Sequence, residues 1–153
     1  MEANEVNSSQ SLSHIEAVAS MDNWDLFMTF IQNQCSTHIH DSSKSYGVVL
    51  AAEELISNII RASEANLVCP KTVTLGIFSE FSTINSFRYF NLITKDNGIH
   101  FDPNFQDLKV NVDLPVKDRE VGGLGLFLVK SSVDTVRYQW VDAQNTYTLS
   151  TTL

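Results

Sequence analysis

Two runs rich in β-branched and aromatic residues stand back to back in the middle of the chain. They are KTVTLGIFSEF (residues 71–81) and SFRYFNLITKD (residues 86–96), separated by STIN. Such runs, joined by a short polar turn, form a β-hairpin, and everything else must pack around it. Before the hairpin, LSHIEAVAS (12–20) reads as a short strand. NWDLFMTFIQNQC (23–35) then carries Trp24, Phe27, Met28 and Ile31 at helical spacing, with Asp22 as N-cap. A longer helix, SSKSYGVVLAAEELISNIIRASEAN (42–66), is capped by Asp41 or Ser42. Val48, Leu55, Ile56, Ile59 and Ile60 make its apolar face. Pro70 marks the break before the hairpin. After it come a loop (104–121), a helix (GLGLFLVKSSV, 123–133) and two strands, DTVRYQWVD and NTYTLSTTL, joined around Ala143 and Gln144.

Hairpins with helices grouped between them predict an α+β fold: a two-layer sandwich over a mixed, mostly antiparallel sheet. The regular βαβ alternation of a doubly wound sheet is absent. At 153 residues and 43% hydrophobic content, the chain suits one domain with a real core. The polar, Ser- and Asn-rich stretch Met1–Ser11 reads as a disordered tail, leaving residues 12–153 as the domain. A net charge of −8 disfavours non-specific binding to nucleic acid. No apolar run approaches the ~18 residues of a membrane span, and the N-terminus lacks a signal-peptide pattern, so a cytoplasmic location is expected. Two cysteines, Cys35 and Cys69, do not suggest a disulfide framework.

Three short motifs carry chemistry. Glu54 and Asn58, in EELISN, are four apart on a helix and therefore share a face. A carboxylate and a carboxamide so placed can act as a base and as an oxygen ligand for a hard metal ion; alone, the pattern is also that of an exposed helical face. Asp96 ends a strand in KDNGIHFDP. It can accept a hydrogen bond from a ligand amine while Gly98 lets the backbone come close; the bland alternative is a type I′ turn at Asn97-Gly98. In REVGGLGLFLVK, Gly122, Gly123 and Gly125 lead into a helix N-terminus. That arrangement offers backbone N–H groups and the positive dipole end to an anion, or else merely turns the chain.

In this order the three stretches resemble the N, G1 and G2 boxes of the GHKL (Bergerat-fold) ATPases, and within them the anti-sigma-factor serine/threonine kinases. The resemblance runs from about residue 12 to 153. It implies the Bergerat ATP-binding fold, a histidine-kinase-like ATPase domain with ATP and Mg²⁺ as cofactors. Carried over residue by residue, Asn58 would hold Mg²⁺ and Glu54 would be the catalytic base. Asp96 would recognise the adenine amino group with Gly98 beside it, and Thr148 on the last strand would add a second contact. Gly122, Gly123 and Gly125 would cradle the phosphates, and Arg119 and Lys117 would neutralise charge from the lid. The implied partners are a STAS-domain anti-anti-sigma protein, a phosphorylation substrate released by partner switching, and a sigma factor. A homodimer is also consistent with the family. The family's N box continues with a His four residues after the Asn, then a small residue and often Tyr. Here Ala62, Ser63 and Glu64 stand there. This departure keeps a second reading open: a nucleotide-binding regulatory module without phosphotransfer.

Cys35, His38 and His40 in CSTHIHD have the spacing of metal ligands, but no second ligand cluster accompanies them. His14, in LSHIE, faintly resembles a phospho-accepting histidine; a histidine kinase would need a two-helix dimerisation segment ahead of its ATPase domain. His100 is expected to be a solvated loop residue. Phe27, Phe30, Phe78, Phe87 and Phe90 are expected in the core, and Leu126, Phe127 and Val129 are expected to anchor the last helix to the sheet.

Overall fold

The computed structural model describes residues 7–65, 72–105 and 123–153. Its elements run β1 (Ser8–Val18), a 3₁₀ turn (Met21–Asn23), α1 (Trp24–His38), α2 (Ser42–Glu64), β2 (Thr74–Ile84), β3 (Phe87–Asp96), α3 (Gly123–Ser132), β4 (Thr135–Val141) and β5 (Gln144–Thr152). The five strands form one sheet in the order β1-β2-β3-β5-β4. All four pairings are antiparallel, where a mixed sheet was expected. For β1 and β2 the reason is the even number of helices between them. α1 carries the chain away, α2 brings it back, and Thr74 starts β2 opposite Val18, where β1 ended.

The central hairpin forms as its composition predicts, with register from Ile84↔Phe87 to Leu75↔Asp96. Its turn is Asn85-Ser86, one residue later than STIN suggested. Both residues have positive φ (53° and 67°), which matches the twist of a two-residue hairpin loop. Asp142 and Ala143 turn the β4–β5 hairpin in the same way, at 52° and 61°. β1 starts at Ser8, earlier than Leu12, because β2 is long enough for Ser8–Ser11 to pair with Glu80–Thr83.

α2 begins as read: the Asp41 carboxylate accepts hydrogen bonds from Ser43 N (2.9 Å) and Lys44 N (3.1 Å). α1 differs. Asp22 falls inside the 3₁₀ turn, whose cap is the Ser20 hydroxyl accepting from Asp22 N. The predicted apolar face of α2 is buried throughout, extended by Ala51 and Ala52. With Phe27, Met28, Ile31 and Cys35 of α1 it covers one face of the sheet, formed by Leu75, Ile77, Phe90, Leu92 and Leu149. Each such large side chain stabilises the fold by about 1.5–3 kcal/mol through burial.

Strand alternation sorts the remaining aromatics. Phe27 and Phe90 are fully buried, whereas Phe78 lies on the other face of the sheet and Phe87, beside the hairpin turn, is 64% exposed. Within α3, Val129 is buried and Leu126 packs on the core, but Phe127 is exposed. Only one stripe of a short helix can face the sheet.

Candidate functional site

α2 and α3 lie against each other, and their contact joins the first and third motifs. Glu54 and Asn58 are half-buried on the side of α2 that meets the start of α3. A Cβ built on Gly125 would lie 2.9 Å from Glu54 Oε2 and 4.0 Å from Asn58 Nδ2. Gly125 is therefore required by close approach: any side chain there would displace the Glu54 carboxylate. Gly123 opens α3, so the glycine-rich helix start stands directly over the carboxylate–carboxamide pair. Gly122, Lys117 and Arg119 lie outside the described residues.

The Asn58 amide oxygen, the atom that a hard cation would use, accepts a hydrogen bond from Arg61 Nη1 at 3.0 Å. Arg61 was not singled out from the sequence. Its position three residues beyond Asn58 on a helix was the available signal.

The second motif stands at the end of the central hairpin. Asp96 is 4% exposed, at the end of β3 and on the helix-covered face of the sheet. Its Oδ1 accepts hydrogen bonds from Gly98 N and from Asn145 Nδ2, both at 3.0 Å. Burial pushes the Asp96 carboxyl above the usual carboxylate range, against the opposing effect of these two donors. Gly98 is needed for proximity and not for a left-handed turn, since its Cβ would meet Asp96 Oδ1 at 2.9 Å. Asn97-Gly98 is no type I′ turn: Asn97 is absent from the positive-φ residues and its Oδ1 accepts from Thr74 N at 2.8 Å.

Asn145 organises the loop that follows. It donates to Asp96 Oδ1 and to the Ile99 carbonyl (2.8 Å), and accepts from Phe101 N (3.0 Å) and the Tyr138 hydroxyl (2.7 Å). Tyr147 adds a bond to the Phe101 carbonyl. Sequence reading missed Asn145 because its role comes from register: β5 places it directly across from Asp96. His100 is not simply solvated; it packs on Trp140, with ring centroids 4.6 Å apart.

Thr148 does not join this group. It pairs with Ile93 and Arg137, on the face of the sheet opposite Asp96, because residues 145 and 148 differ by an odd number of positions. Thr94 takes the position on the Asp96 face instead. It is fully buried, two residues before Asp96, and its hydroxyl is the one buried side-chain polar atom without a partner among the described residues.

The Cys35-His38-His40 spacing makes no metal site. Cys35 is fully buried in the core, its thiol pushed up to about 12 by burial, and His38 packs on Phe81 and Phe90. Among the described residues no group of three His, Cys, Asp or Glu side chains could hold a metal ion. None of their helices is long and apolar enough to cross a membrane. His14 stacks on Phe78 on the face of the sheet away from the helices.

The arrangement offers an adenine-sized amine a buried acceptor at Asp96 and an orphaned hydroxyl nearby. It offers phosphate the start of α3, with Gly98 and Gly125 leaving the space that a Cβ would fill, and a divalent ion the Asn58 amide oxygen once the Arg61 guanidinium gives it up. One amide oxygen suits Mg²⁺, which takes few protein ligands and completes its shell with phosphate oxygens and water. A family model described as a histidine kinase-like ATPase domain matches residues 18–151. No curated protein matches the chain.

Proposed function

The chain belongs to the histidine kinase-like ATPase domain family, and on that premise we propose that it is an ATP-dependent serine/threonine kinase of the anti-sigma type, located in the cytoplasm. Its substrate would be a STAS-domain anti-anti-sigma protein, and its other partner a sigma factor. The observation that carries the proposal is the seating of Gly125 against both Glu54 and Asn58, residues that would serve as base and metal ligand beside a phosphate-facing helix start.

In this reading Asp96 Oδ2 accepts from the adenine amino group while Oδ1 stays tied to Gly98 and Asn145. The N–H groups at the start of α3 face the phosphates, Gly122 helps to cradle them, and Arg119 and Lys117 neutralise charge on the transferring group. Asn58 would hold Mg²⁺, and the ion would supply charge neutralisation to the phosphates. Glu54 lies next to Gly125 and takes the proton of an incoming serine or threonine hydroxyl. Positioning and electrostatics, more than covalent chemistry, would supply most of the rate.

Incubation with Mg-ATP and a cognate STAS protein should place phosphate on a Ser or Thr, and Glu54→Gln should abolish transfer while ATP still binds. Absence of transfer from wild type, with ATP bound, refutes the kinase reading. It would favour the second reading, a nucleotide-binding regulatory module. That alternative is supported by Ala62, Ser63 and Glu64, one of which is otherwise engaged: Glu64 Oε1 accepts from Met21 N at 3.4 Å.

A further inference from the structure

A cleft of about 520 Å³ opens at the end of the sheet away from the nucleotide site. Its walls come from the α1–α2 connection, the β2–β3 hairpin and the end of β5. Arg88 and Asp96 both lie on β3, eight residues apart, which separates the two places by roughly 26 Å along the strand. Lys44 and Asn58 are similarly separated along α2, by about 21 Å.

Two cationic side chains, Arg88 and Lys44, line this cleft. Arg88 is exposed, and its guanidinium lies 4.1 Å from the centre of the Phe81 ring. No carboxylate of the described residues pairs with it. Lys44 Nζ spends two of its donors on the carbonyl and hydroxyl of Thr152 and keeps a third. Asp41, the acidic side chain in the wall, caps α2 through Oδ1, and Asp134 lies within the field of Lys44. His38 and His40 complete the polar rim, and Ile39 and the Phe81 ring provide an apolar wall. Uncommitted donors on Arg88 and Lys44 thus face the cleft, on a chain whose net charge is −8. A guanidinium over a ring keeps its N–H groups available for a carboxylate or phosphate, which it can bind through two parallel hydrogen bonds.

We propose that this cleft is a second binding site, for a small anion bearing a carboxylate or phosphate group, with Arg88 as its principal ligand. The Phe81 and Ile39 wall accommodates an apolar or aromatic part of that molecule. The site shares α2 and β3 with the nucleotide site but none of its residues.

The test is a titration of the full chain, followed by backbone amide NMR, with sodium benzoate and separately with inorganic phosphate at constant ionic strength. Saturable shifts are expected at residues 38–41, 88 and 152–153. They should persist in Asn58→Ala, weaken about tenfold in Arg88→Lys and vanish in Arg88→Gln, whose position is exposed and tolerates the change. Response to benzoate alone identifies an aromatic carboxylate as the ligand class, and response to phosphate alone identifies a phosphate group. Lack of saturation with both probes, shifts unchanged in Arg88→Gln, or shifts confined to the Asn58 region would overturn the proposal.

Discussion

Gly47 tests how α3 is held over the site. It lies in the second turn of α2, and a Cβ built on it would overlap the backbone carbonyl oxygen of Ser132, with the carbonyl carbon 3.4 Å away. Two effects compete in Gly47→Ala. Helix propensity favours alanine by about 1 kcal/mol. The overlap is with main chain at the end of α3, so no flexible side chain can move aside, and overpacking of this kind costs about 3 kcal/mol. The clash wins, for a net destabilisation of about 2 kcal/mol. For a domain of this size that lowers the melting temperature by about 4–8 °C. Relief requires α3 to shift relative to α2, which carries Gly125 away from Glu54 and Asn58. The stabilisation conferred by Mg-ATP should therefore shrink as well. Differential scanning fluorimetry of wild type and Gly47→Ala, each with and without saturating Mg-ATP, measures both effects. A melting temperature equal to or above wild type would show that propensity dominates and that the helices are not in rigid contact, refuting the argument.

Three further outcomes follow from the site. Gly125→Ala meets the mobile end of Glu54 instead of main chain. It should leave the melting temperature nearly unchanged while lowering ATP turnover at least tenfold, as stopped-time phosphate release would measure. Thr94→Val removes a buried hydroxyl that has no partner. It should raise the stability of the free protein by about 1 kcal/mol in urea melts, yet reduce the gain on adding Mg-ATP. Asp96 has its folded pKa raised above 3.8, so between those two values the folded state holds a proton that the unfolded state has released. Stability is then fully present below the unfolded value and declines as pH rises through the folded one. Asp96→Asn should match wild type more closely at pH 3.5 than at pH 7, where it should be the more stable protein, while binding ATP 10- to 100-fold more weakly. Parallel urea melts at the two pH values, with calorimetric titration of ATP, would reveal an error in either half.

Residue order alone carried the periodic features. The hairpin of residues 74–96, the apolar face of α2, its Asp41 cap and the pairing of Glu54 with Asn58 depend on spacing within one element, and spacing is visible in a string. The closeness of Gly98 to Asp96 was legible for the same reason. Tertiary structure decided everything that depends on which residues of different strands and helices stand across from each other. Register put Asn145 opposite Asp96 and turned Thr148 to the far face, a difference of one odd step that composition does not encode. Packing of α3 on α2 made Gly125 a spacer over Glu54, and strand alternation took Phe78 out of the core. The Arg88–Phe81 pairing and the cleft beside it arise where a hairpin, a helix connection and a terminal strand meet. Those segments are distant in the chain, and only the closing of the sheet brings their side chains within reach of one ligand.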